Sequence, residues 1–174
     1  MFTTRNIVVA GLMAALVTVG TMLIQIPVGM SGYVHLGDSM VYFSGVLFGP
    51  VLGGLAAGLG SFLADMLSGY AVYAIPTFII KGLDAVVIAL LYKMIAGNGG
   101  SSKRKLTAYI IAFLGGSIVM TSGYFLFETF MYGMEGAIVG LIPNMFQGTV
   151  GGAISIPFFL LFTKVDFMQA IAHR

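Results

Sequence analysis

The chain has no cysteine and no tryptophan, and only 8% of its 174 residues are charged. The missing cysteines exclude a disulfide framework, a thiolate nucleophile and any cysteine-held metal. So little charge excludes an ordinary soluble domain, in which roughly a quarter of residues are charged. The net charge of +2 is too small to suggest a nucleic-acid partner. No His-Glu zinc motif, phosphate-binding glycine loop or nucleophile elbow occurs, so neither an enzyme nor a cofactor is indicated. Nothing in the chain can hydrolyse ATP, and active uptake would need another subunit.

What is present is apolar: 59% of residues are hydrophobic, and the mean hydropathy is +1.03. No charge falls between Lys105 and Glu128, or between Glu135 and Lys164. Runs of that length and character span a bilayer. The reading is a single membrane-embedded domain over residues 1–174, all-α. The first apolar stretch lacks a small-residue cleavage site and is read as a retained span, not a signal peptide.

Breaks in the pattern predict six transmembrane helices, with helices two and three short. Span one covers about 6–26 and stops at Pro27. Residues 28–37 form a loop. Asp38 and Ser39 then stand where a helix N-cap belongs. The uncharged stretch that follows is split by Gly49-Pro50-Val51-Leu52-Gly53-Gly54 into helices of about 38–49 and 53–68. After a loop at 69–75, Pro76 opens span four, which runs to about Ala96. Residues 97–105 are a solvated loop, span five is about 106–131, and span six runs over about 135–163 with bends at Pro143 and Pro157. Six spans put Arg5, Lys93, Lys103, Arg104, Lys105, Lys164 and both termini on the cytoplasmic side, as the excess of base on inner loops requires.

The charges inside apolar runs are the informative ones, because a charge at membrane depth faces a cavity, a partner or a substrate. They are Asp65, Lys81, Asp84 and Glu128. Lys81 and Asp84 stand three apart on one helix face and can pair, either as a structural salt bridge or as a pocket wall. Tyr124 lies one turn from Glu128. Asn144 and Gln147 share a face of span six, and either could be interhelical glue when taken alone. All six polar residues map to the outer half of the membrane, under loops carrying Tyr70, Tyr73, Tyr33 and His35. A polar set at one depth reads as a pocket open to the outside. At the other end of span one, Ala10, Gly11 and Ala14 permit close helix approach, within the chain or to a partner.

These features resemble the substrate-binding S components of energy-coupling factor (ECF) vitamin transporters. The likeness rests on the length, the short second and third helices, Ala10-x-x-x-Ala14, His35-Leu36-Gly37-Asp38-Ser39 and Phe48-Gly49-Pro50-Val51-Leu52-Gly53-Gly54. It implies docking through Ala10, Gly11 and Ala14 on a transmembrane coupling protein, the T component, which links to two ATPase subunits. It also implies a lid formed by loop 28–37, with Tyr33 and His35 above the ligand. Within the family the chain looks closest to the hydroxymethylpyrimidine, pyridoxine and riboflavin branch. Thiamine-binding members stack their ligand on tryptophan, which is absent here, so Tyr33, Tyr70, Tyr73, Tyr124 and Phe127 would have to serve. The competing reading is a stand-alone secondary transporter with Asp65 or Glu128 as a proton site. Such transporters often carry internal repeats, and none is evident here.

Overall fold

The structure is a computed structural model and describes residues 3–23, 25–28, 32–97 and 100–164. Its order is α1 (Thr4–Leu23), β1 (Gln25–Val28), β2 (Gly32–His35), α2 (Gly37–Leu67), α3 (Ala71–Ala96) and α4 (Ser102–Lys164). The all-α membrane class holds for the bundle. The expectation of six transmembrane helices does not: among the described residues, four helices are long and apolar enough to cross a membrane.

The physical reason for the lower number is the brevity of the breaks. Helices two and three of the sequence reading are one element, α2, interrupted only at Gly49 (φ 75°) just before Pro50. Spans five and six are likewise one element, α4, interrupted only at Gly133 (φ 78°). A single glycine reaches these dihedrals without a Cβ penalty, and helical hydrogen bonding resumes directly on either side.

Each break folds its helix back on itself. In α2, Ser44 Oγ donates to the Gly53 carbonyl at 2.8 Å, a contact that a straight helix would put out of reach. In α4, Gly148 packs against Ser117 and Gly152 against Phe113. The arms 37–48 and 50–67 of α2, α1, α3 and the two arms of α4 surround one core. Its centre is Val17, Tyr42, Ile88, Phe113 and Phe159, with Tyr109 stacked on Phe159 at 4.2 Å. Tyr42 buries its hydroxyl there by donating to the Gly148 carbonyl at 3.1 Å and sharing a hydrogen bond with Ser117 Oγ.

Other boundaries also shift. α2 starts at Gly37 with Leu36 as its N-cap, so Asp38 and Ser39 lie within its first turn and do not cap it. α3 starts at Ala71, which puts Pro76 inside the helix and reduces the expected loop 69–75 to a tight turn at Gly69 (φ 86°). The expected loop 28–37 contains the second strand of an antiparallel β-hairpin, pairing Gln25 with His35 and Val28 with Gly32. Its tip, residues 29–31, lies outside the described residues.

Small residues set the closest helix approach. Thr18 Oγ1 of α1 donates to the Gly60 carbonyl of α2 at 2.8 Å. A Cβ at Gly60 would stand 2.5 Å from the Ala14 carbonyl and 2.7 Å from Val17 Cβ. Gly60→Val is therefore expected to destabilise the detergent-solubilised chain by roughly 1–3 kcal/mol through overpacking. Gly11→Val, at a site with nothing within 4 Å, serves as the control. Equal thermal midpoints for the two variants would show that α1 and α2 do not pack this way.

Candidate functional site

The polar residues picked out by sequence are brought together, and all are withdrawn from solvent. Lys81 and Asp84 are 2% and 0% exposed, Asp65 and Glu128 are each 7%, Asn144 is 9% and Gln147 is 8%. Charges this deep in an apolar bundle require partners, and the partners are not those the spacing suggested. Lys81 does not pair with Asp84. Its ammonium donates to Asp38 Oδ1 of α2 and lies 2.7 Å from Met120 Sδ of α4. The Tyr124 ring centroid is 5.8 Å from the same nitrogen, within cation–π range.

Asp38 is the residue that sequence reasoning missed. Once Leu36 occupies the cap position, the Asp38 side chain is free to turn inward. Its second oxygen accepts from Gln147 Nε2 at 2.8 Å. Gln147 in turn lies 3.0 Å from His35 Nε2, and His35 Nε2 is 3.9 Å from Asp38 Oδ2. The set Lys81, Asp38, Gln147 and His35 thus joins α3, α2, α4 and the second strand of the hairpin. Besides its place in the segment His35–Ser39, its signal was an acidic residue at the start of a helix, which reads equally well as a capping or dipole-stabilising residue.

Around this network lie the remaining candidates. Asp65 meets the Thr77 side chain, and Thr77 Oγ1 is 3.1 Å from the Tyr124 hydroxyl. Glu128 faces Asn144 across the two arms of α4, with its carboxylate against Gly140, where a Cβ would collide with it. Tyr73 packs edge-on against Phe127, centroids 5.2 Å apart, and donates to Tyr132 at 3.3 Å. The same phenol lies within electrostatic reach of Glu128 and Asp65. One oxygen each of Asp65 and Glu128 has no hydrogen-bond partner among the described residues. Tyr70 is exposed at the start of α3, its amide donating to the Asp65 carbonyl at 2.8 Å. Tyr33 lies in β2 by its backbone, and its side chain is outside what is described.

His35 sits on the hairpin, and its burial pushes the imidazole down to about 4, with Asp38 pulling the other way and Lys81 adding to the fall. The folded value is below the ordinary 6.5, so the unfolded chain takes up the proton first. The stability His35 contributes is present above pH 6.5 and is lost as the pH falls towards about 4. The full effect is on the order of 3 kcal/mol, by the usual conversion per pKa unit. Thermal unfolding across that window should show the loss, and His35→Gln should flatten it. An unchanged slope in His35→Gln would show that another group titrates.

Ala10 and Ala14 are 8% and 9% exposed, packed with Phe43 and Ala56 of α2. That is close packing within the chain, and of these three residues it leaves Gly11 exposed on the outward face of α1.

A family model described as the ECF-type riboflavin transporter S component matches residues 1–164. The chain belongs to this S-component family. ECF S components are the substrate-specific membrane subunits of vitamin and vitamin-precursor transporters, not enzymes, and they work with T and ATPase subunits. Membership and the apolar helices make this a multi-pass protein of a prokaryotic plasma membrane. A Pyrococcus woesei protein, described only as uncharacterised and lying in the gap 3′ region, is 38% identical over 136 residues, covering 78% of this chain and 86% of its own length. The Lactococcus lactis thiamine precursor transporter HmpT is 29% identical over 126 residues, covering 72% of this chain and 67% of its own. A solved S component of a bacterial ECF transporter superposes with a TM-score of 0.69 at 21% identity, over 92% of this chain and 96% of that one, which establishes the shared fold.

Proposed function

We propose that this S component captures a small heteroaromatic vitamin or precursor, hydroxymethylpyrimidine or pyridoxine first, for ATP-driven uptake. The observation that supports this is that Asp65 and Glu128, each with an oxygen unpartnered among the described residues, both lie within electrostatic reach of Tyr73, which packs on Phe127 near Tyr124. Aromatic faces accept a flat ring. Buried carboxylate oxygens are costly when unmatched, and ring N–H, amino or hydroxyl donors would satisfy them. Asn144 and Gln147 add amide groups from the second arm of α4, and Tyr70 stands at the rim. The likeness to a thiamine precursor transporter supports the pyrimidine choice. The family description favours riboflavin as the second choice, also a flat heteroaromatic ring.

In this reading the hairpin carrying Tyr33 and His35 closes over the ligand. The basic end of the bundle, with Lys93 in the last turn of α3 and Lys103–Lys105 opening α4, faces the cytoplasm together with both termini. The T component and two ATPase subunits dock there, with α1 offering its outward face at Gly11.

Mass spectrometry of small molecules carried through purification of the chain tests the substrate class. A pyrimidine or pyridine alcohol, or a flavin, released on denaturation is the expected result. A non-aromatic or multiply anionic ligand would rule out the proposed class.

A further inference from the structure

Asp84 is fully buried in α3, and neither oxygen of its carboxyl group has a hydrogen-bond partner among the described residues. It stands three residues after Lys81, on the same helix face, yet the Lys81 ammonium is committed to Asp38 and to Met120 Sδ. The wall opposite is the backbone of Gly116 in α4, where a Cβ would collide with Asp84 Oδ1 and would lie 2.6 Å from the Ile88 side chain. The charged and titratable groups facing Asp84 are Lys81 on its own helix and Asp38 and Tyr42 from α2. The stretch of α4 packed against it has no charge between Lys105 and Glu128.

Among the described residues, the surroundings of Asp84 therefore hold one ammonium, Lys81, and one other carboxyl group, Asp38. The ammonium neutralises Asp38. A second negative charge at Asp84 would be dry, without a donor and close to the first, and a buried charge of that kind is expelled or neutralised. Like carboxyl groups sharing a site do not both ionise.

We propose that Asp84 is a proton-binding site, a neutral carboxylic acid while Lys81 is held by Asp38, and the alternative counter-ion of Lys81 when Asp38 is disengaged. In the exchange, Lys81 leaves Asp38 and turns one helical step to Asp84. The Asp84 O–H bond breaks, its electron pair stays on the carboxylate, and the proton passes to water. The ammonium keeps its own three hydrogens and donates to the new carboxylate. Any event that draws Asp38 away from Lys81 is thereby linked to the release of one proton, whichever ligand the outer site takes.

Infrared spectroscopy of carbon-13-aspartate-labelled protein tests this at neutral pH. The Asp65→Asn background removes the other aspartate that, among the described residues, has an unpartnered oxygen. The expected spectrum contains a carboxylic-acid carbonyl band that shifts with the label and disappears in Asp84→Asn. In Asp38→Asn the band should also disappear, because Lys81 becomes the partner of Asp84. It should return in Asp38→Asn combined with Lys81→Met, which removes the cation that faces Asp84 among the described residues. Absence of a labelled acid band in the Asp65→Asn protein overturns the site without any change at Asp84, so a folding defect in Asp84→Asn does not protect the idea. A band that survives Asp84→Asn overturns it equally. A band unchanged by Asp38→Asn overturns the exchange of partners.

Discussion

Lys81→Met should destabilise the chain by about 3–5 kcal/mol, the usual loss when one member of a buried ion pair is removed and the other is stranded. Lys81 is 2% exposed, and its ammonium holds Asp38 directly and Gln147 and His35 through Asp38. Without it, the Asp38 carboxylate keeps only the Gln147 amide within the network, in a setting that water cannot enter cheaply. Asp38→Asn should cost less, since Asp84 stands one turn away as a second acceptor for the ammonium. Combining Lys81→Met with Asp38→Asn removes both charges and should recover much of the loss, a non-additivity expected for groups in contact. Thermal unfolding in detergent measures all three. A Lys81→Met protein as stable as the parent would mean that the network does not hold the helices and hairpin together.

Glu128→Gln and Asp65→Asn should each weaken ligand binding at least about tenfold, or about 1.4 kcal/mol. A hydrogen bond to a charged group is worth about 1.5–3 kcal/mol where water is excluded, and each of these carboxylates keeps one oxygen unmatched among the described residues. Neither substitution changes the side chain's shape, so a loss of affinity without a loss of thermal stability assigns the effect to the ligand. Calorimetric titration with hydroxymethylpyrimidine, pyridoxine and riboflavin provides the measurement. If both variants bind the preferred compound as the parent does, the ligand sits elsewhere in the bundle.

The membrane class and the polar set were legible because each rests on a local rule. A charge in a long apolar run announces itself, so Asp65, Lys81, Asp84 and Glu128 stood out, and Asn144 and Gln147 followed from sharing one depth. Lys81's partner was not legible. Spacing along one helix offered Asp84, whereas the partner comes from residue 38, far away in sequence and disguised as a cap. The helix number failed for a related reason. Gly49 and Gly133 do mark reversals, but proline and glycine patterns do not tell a loop of several residues from a single positive-φ glycine at which one helical element turns back. The small residues of α1 showed that a close approach exists, and only the packing against Phe43 and Ala56 showed that Ala10 and Ala14 make it within the chain.

The most direct measurement compares binding by the purified chain with uptake by cells that contain it, with and without the T component and ATPase subunits. A substrate-specific subunit binds its ligand tightly alone and without nucleotide, yet supports ATP-dependent uptake only when those partners are present. Ligand accumulation by vesicles containing this chain alone, driven by a proton gradient, would contradict that role and restore the reading of an independent secondary transporter.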